Sequence, residues 1–195
     1  PANNSPPPSC RPVRDRRKAR ATAEAESKLE LLMEKAGISP ADRKVVAAAK
    51  RKSDETGGAP AVAIELNDGR IVTGKTSALL GSSSAALLNA LKTLAGIDDN
   101  IDLLSPTLIE PIQDLKINHL GNRNPRLHTD EVLIALSVCA TQDDRAELAM
   151  QQLENLKDCE VHSTVILSSV DEGVFRKLGT HLTSEPVYET KKLYH

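Results

Sequence analysis

Aromatic side chains are almost missing from this 195-residue chain: there is no Trp, and Phe175, Tyr188 and Tyr194 make up the whole 2%. The core must therefore be aliphatic, built from Leu, Ile, Val and Ala. The same scarcity argues against stacking platforms for single-stranded nucleic acid and against aromatic cages for cations. Also missing is any run near the ~18 apolar residues of a membrane span, so no membrane partner is expected. Cysteine is sparse: Cys10, Cys139 and Cys159 are an odd number without framework spacing. That excludes a disulfide scaffold and fits reduced thiols in a cytoplasm. No apolar signal segment lies near Pro1. Zinc chemistry of the deaminase kind needs H-x-E with P-C-x-x-C. The nearest strings are His128-Thr129-Asp130 and Cys159 with His162, and neither fits. There is no G-x-S-x-G nucleophile elbow either. Neither a metal nor a cofactor is expected, and no particular reaction is disclosed.

What is present suits a globule: 39% hydrophobic residues and a net charge of −2 from 25 basic and 27 acidic side chains. The charge is uneven. Arg11, Arg14, Arg16, Arg17, Lys18 and Arg20 crowd one short stretch with a single acid, Asp15. This basic end reads as a solvated segment rather than a nucleic-acid arm, since nothing downstream supports nucleic acid. Residues 1–14, rich in proline, read as a disordered leader. Residues 15–58 read as a helical hairpin. In its first helix Ala25, Leu29, Leu32 and Ala36 recur at helical spacing before Gly37. Its second opens with Ser39 as N-cap and Pro40 at the first position.

Residues 59–195 alternate strands and helices. Val62, Ile64 and Leu66 share one face of a strand, Asn67-Asp68-Gly69 signals a turn, and RIVT (70–73) is β-branched: a β-hairpin. A helix over 83–95, dominated by Leu87, Leu88, Leu91 and Leu94 and nearly uncharged, should be buried. A short helix begins at Ser105-Pro106, and Pro111 should kink or interrupt it. A polar loop over 117–128 precedes a helix capped by Thr129. A helix over 144–156, a strand over 160–167, a helix capped through Ser169 and Glu172, and a strand over 181–188 follow. The class is α/β with a mixed sheet, because the first strand pair is a hairpin. A hairpin followed by a buried helix resembles deaminase-like layouts, without the zinc motif.

Three motifs bear on chemistry. The string GRIVTGKT (69–76) fits the phosphate-cradling G-x-x-x-x-G-K-T. Its intervening residues are strand formers and Gly69 completes a turn, so it reads as an accidental match across a hairpin. The loop HLGNRNPRLH (119–128) gathers His119, Asn122, Arg123, Asn124, Arg126 and His128 just before a helix start. Free N–H groups there favour an anion, and arginines grip phosphate or carboxylate bidentately. Against this, Asp130 and Glu131 already complement the helix dipole, and the arginines have acids to pair with. Ser82, Ser83 and Ser84, before the buried helix, are a second anion candidate, with a capping role as the competing reading. His162, inside a strand, reads as a hydrogen-bonded core histidine.

The strings KINHLGNRNPRLHTDEVLIALSVCAT (116–141), CEVHSTVILSSVDEGVFRKLG (159–179) and SEPVYETKKLYH (184–195) resemble the C-terminal part of the bacterial uncharacterised protein family 0371, domain-of-unknown-function family 1846. GRIVTGKTSALLG (69–81) and LLNALKTLAGIDD (87–99) fit it as well. The resemblance covers roughly residues 22–195 and leaves 1–20 aside. It implies a cytoplasmic bacterial protein whose larger N-terminal part is absent here. It also implies a layered, deaminase-like α/β subdomain flanked by helices. It implies no agreed reaction, so no catalytic residue is carried over. Two functions are expected to compete: an anion-binding loop contributed to a small-molecule site of the full-length protein, or a non-catalytic scaffold. In the second case the partner is the missing N-terminal part or another copy of the chain.

Overall fold

A computed structural model describes residues 31, 35 and 43–188. The Pro-rich leader, the basic stretch 11–20, the first helix of the expected hairpin apart from Leu31 and Lys35, which are helical, and the Ser39-Pro40 cap lie outside the described residues. So do Cys10, Lys191, Lys192 and Tyr194. The chain divides after Asp42 into two units, and the second, beginning at Arg43, holds the sheet and its helices.

Helix α1 (Lys44–Glu55) starts after an extended Arg43, later than the Pro40 expected from the sequence. Its buried side, Val45, Val46, Ala48 and Ala49, packs on Ala63. Strand β1 (Ala61–Glu65) and β2 (Ile71–Lys75) pair antiparallel, Ile64 opposite Val72. Leu66 and Gly69 close the turn between them, with Gly69 at φ +85°, a conformation only glycine adopts without strain. Residues 69–75 are therefore turn and strand, and no phosphate cradle forms there. Val62 and Ile64 point to the opposite face from Ala63, into the main core with Leu87 and Leu91. Because α1 covers one face of β1 and the main core the other, the strand is apolar on both sides rather than alternating.

Helix α2 (Ser82–Ala95) ends on left-handed Gly96, and Leu87, Leu88 and Leu91 are buried as its composition demands. It lies against β2 so closely that a Cβ on Gly74 would fall 2.1 Å from the Ala86 nitrogen. The glycine of the GKT string thus serves helix packing. Helix α3 (Pro106–Asp114) passes through Pro111 without interruption and continues as a π-helical turn, Leu115–His119. The expected loop therefore shortens, since residues 117–119 are helical. Helix α4 (Thr129–Cys139) and α5 (Asp144–Met150) follow, then a short 3-10 turn, Leu153–Leu156. Strand β3 (Glu160–Ser163) ends four residues earlier than expected, because the Ser163 hydroxyl turns the chain by bonding Val165. Helix α6 (Ser169–Lys177) and β4 (His181–Ser184) complete the unit.

The four strands run β2-β1-β3-β4, with β1 antiparallel to both neighbours and β3 parallel to β4 across α6. This is a mixed α/β fold with six α-helices among the described residues. No helix among them is long and apolar enough to cross a membrane.

Candidate functional site

Three helix starts meet at one cleft of about 600 Å³. Ser82 and Ser83 come from α2, His128, Asp130 and Glu131 from α4, and Ser168 and Asp171 from α6. The loop carrying Asn122, Arg123, Asn124 and Arg126 forms one wall, and Val165, Ile166, Leu167 and Val170 form an apolar rim. Leu127 ties the loop to α2. Its N–H donates to Leu79 O, and its carbonyl accepts from Gly81 N and, at 2.8 Å, from the Ser84 hydroxyl. The two stretches that look like separate anion sites in the sequence thus line one concavity. Ser84 is spent on this tie.

Asp171 organises the floor. Its side chain is nearly buried, and one oxygen accepts from both Thr129 N and Thr129 Oγ1 at 2.9 Å. The other accepts from Ser168 Oγ at 2.7 Å and lies 3.1 Å from His128 Nδ1. Thr129 is therefore the first helical residue, with His128 at the cap position; the Glu131 carboxylate accepts from His128 N at 2.8 Å. In the same way α6 starts one residue earlier than the S-x-x-E pattern suggests: Ser168 Oγ accepts from Asp171 N. Burial alone would raise the Asp171 pKa. The bonds from His128, Thr129 N and Ser168 outweigh it and hold the carboxyl below its ordinary value. The Asp171 bond in turn raises His128 above its ordinary 6.5, against the opposing pull of burial. Nδ1 is engaged, and Nε2 has no partner among the described residues, while the ring keeps 30% of its surface exposed on the cleft.

The loop is pinned from beneath by Lys116, which is 2% exposed. The π-helical turn brings its ammonium to 2.6 Å from both Glu131 Oε2 and Arg126 O. A lysine this deep needs both the charge and the carbonyl to replace its water. Arg126 is committed to the scaffold through Nε to Ser77 O at 2.8 Å, and Asn124 makes a turn by accepting from Arg126 N. Asn122 lines the cleft and bonds Lys116 O through its backbone. Arg123 is exposed on the cleft, with no ion pair or hydrogen bond among the described residues. His119 ends the π-helical turn, 67% exposed, 4.0 Å from Asp114 and outside the cleft lining.

Sequence reasoning missed Asp171 and Lys116. Asp171 had a local signal: read one residue earlier, Ser168 and Asp171 form their own S-x-x-D start. Lys116 had none, because nothing in its neighbours foretells burial. His162, in β3, lies outside the cleft lining, with Nδ1 2.9 Å from Thr183 Oγ1.

The chain matches the family of the C-terminal domain of unknown function DUF1846 over residues 41–194. A UPF0371 protein of Corynebacterium efficiens is 63% identical over 180 residues, which is 92% of this chain and 36% of the relative. UPF0371 proteins of Corynebacterium glutamicum and Streptococcus thermophilus are 58% and 53% identical, over 92% and 93% of this chain and 36% and 37% of their own lengths. The chain belongs to this family and spans about a third of the length of the curated relatives it matches.

Proposed function

We propose that the cleft between the first turns of α2, α4 and α6 binds an anionic small molecule, and that this region contributes that cleft to a site of the full-length protein. The observation that carries the reading is Arg123: a guanidinium without a partner among the described residues, held on a concave surface toward which three helix N-termini are turned. The uncapped start of α2, with no acid in its first turn, adds positive potential there, while the starts of α4 and α6 are met by Asp130, Glu131 and Asp171. Two stretches far apart in sequence, 82–83 and 122–128, supply the lining, which is how a ligand site differs from a local loop motif. A cytoplasmic setting suits this reading, since Cys139 and Cys159 are free thiols. The hairpin β1–β2 followed by buried α2 keeps the deaminase-like layout as the architectural comparison, without that family's zinc-binding string.

The test sets Arg123→Ala against Arg126→Ala in the full-length protein, with thermal melting and inorganic phosphate binding measured on both. Arg123→Ala is expected to weaken phosphate at least tenfold and leave melting unchanged, the loss of one charge-assisted bond being worth roughly 1.5–3 kcal/mol. Arg126→Ala is expected to lower melting. Unchanged phosphate affinity in Arg123→Ala overturns the reading.

An assembly role has one observation of its own. Ile134 and Val138, one turn apart on α4, are 65% and 62% exposed. Aliphatic side chains this open mark contact surfaces, and the N-terminal part present in the longer relatives is the occupant this reading requires. Ile134→Glu would then separate that part from this region in limited proteolysis without touching phosphate affinity.

A further inference from the structure

Resting on the cleft reading above, we propose that the ligand carries a phosphomonoester group, a tetrahedral dianion seated on the open first turn of α2, and that His128 takes up a proton at Nε2 as it binds. Four observations converge on this.

The three helix starts are not equivalent. At α4, Thr129 N donates to Asp171 and Glu131 N to Asp130. At α6, Asp171 N donates to Ser168. At α2 there is no capping side chain and no acid in the first turn. No hydrogen bond among the described residues uses the backbone N–H groups of Ser82, Ser83 and Ser84 or the hydroxyls of Ser82 and Ser83. Three N–H donors and two hydroxyls at one helix start suit the several oxygens of a phosphoryl group better than the two oxygens of a carboxylate.

Second, the cationic side chains are of two kinds. Arg123 is always charged, whereas His128 changes charge near neutral pH. Third, the groups facing His128 leave it poised rather than fixed. Asp171 from α6 and Glu131 from α4 favour its proton, and Lys116 from the π-helical turn opposes it. Asp130 from α4 and Arg123 and Arg126 from the loop share the same cleft. Glu131 is answered by Lys116 at 2.6 Å and Asp171 by His128 and Thr129, which leaves the ring's second nitrogen, together with Arg123, able to answer an added negative charge. Fourth, the cleft is larger than a bare phosphate, and Val165, Ile166, Leu167 and Val170 line its rim. An uncharged organic part bonded to the phosphoryl group belongs there. Binding balances as protein plus dianion plus one solvent proton; no bond is made or broken.

The first probe is sulfate, a tetrahedral dianion that exchanges no proton of its own near neutral pH, so any proton counted belongs to the protein. Calorimetry of sulfate with the full-length protein, in two buffers of different ionisation enthalpy between pH 7 and 8.5, counts it. The expected result is uptake approaching one proton and an affinity that falls toward tenfold per pH unit, because binding and protonation are reciprocal. In His128→Gln the uptake vanishes and the affinity becomes flat with pH. Should that variant fold poorly, the C2–H proton resonance of His128 in the unaltered protein reads the same quantity: its midpoint moves up when sulfate is saturating. Sulfate binding with no uptake and an unmoved midpoint overturns this inference while leaving the cleft an anion site. Failure of sulfate, phosphate and acetate alike to bind removes the cleft reading too. The second arm compares phenyl phosphate with inorganic phosphate. Tighter binding of the ester by tenfold or more is expected; equal affinity overturns the monoester assignment in favour of free phosphate.

Discussion

Two kinds of helix start face the same cleft, and they differ in who satisfies them. Helices α4 and α6 are closed by protein groups, with Asp171 bonded to Thr129 of one and Ser168 of the other. Helix α2 begins at Gly81 with no capping side chain at all. Closed starts stabilise the fold; an open one beside a concave surface leaves its donors for something else. The same acid that closes α4 also orients His128, so the closed starts build the wall against which the open one works.

The largest effect should come from breaking the closed side. Asp171→Ala strips partners from buried Thr129 and from His128 and should cost about 3 kcal/mol in urea unfolding. Asp171→Asn should cost less, since the amide oxygen still accepts from Thr129. Next comes the support of the open side. Gly74→Val places side-chain atoms in the backbone of α2 and should destabilise by about 2 kcal/mol or more, with α2 pushed off β2 and anion affinity lost in parallel. Equal affinity in a destabilised Gly74→Val protein would show that α2 takes no part in binding.

The pH dependence of stability sharpens the contrast within the closed side. His128 is raised above 6.5, so its contribution is complete below that value and disappears as the pH climbs through the raised one. Asp171 is lowered below 3.8, so its contribution is complete above that value and is lost as the pH falls through the lowered one. Chemical unfolding across pH 2–9 should show both arms. His128→Gln should lose the alkaline arm and keep a smaller acid one, since Thr129 N and Ser168 still hold the Asp171 carboxyl down. The smallest effect concerns Asp130, the one cleft acid without an ion pair among the described residues. Asp130 accepts only from its neighbour's N–H among the described hydrogen bonds, so Asp130→Asn should tighten phosphate twofold to fivefold with melting unchanged. Weaker binding in that variant would place the anion elsewhere.

Much of this architecture is legible in the residues. The Asn67-Asp68-Gly69 turn and the buried leucines of α2 follow from turn chemistry and period and stand where the sequence puts them, and the polar loop before α4 does so except for its first three residues, which are helical. Boundaries are less legible, for identifiable reasons. Pro111 reads as a break, yet α3 passes through it and relaxes into a wider turn that carries Lys116 inward. Thr129 and Ser169 read as caps, and each cap lies one residue earlier. At α6 two serines, Ser168 and Ser169, stand side by side, and at α4 the Thr129 hydroxyl is taken by Asp171, which leaves His128 at the cap.

The sequence by itself determined the aliphatic core, the hairpin, the mixed α/β class and the presence of two polar stretches beside helix starts. Those are local matters of period, propensity and turn geometry. Only the tertiary structure decided that Ser82, Arg123, His128 and Asp171 share one cleft, that Arg126 and Ser84 serve the scaffold, and that Lys116 is buried. The physical reason is that a polar group's role depends on which partners reach it, and those partners lie 15 to 43 residues away along the chain: Glu131 for Lys116, Asp171 for His128, Leu127 for Ser84.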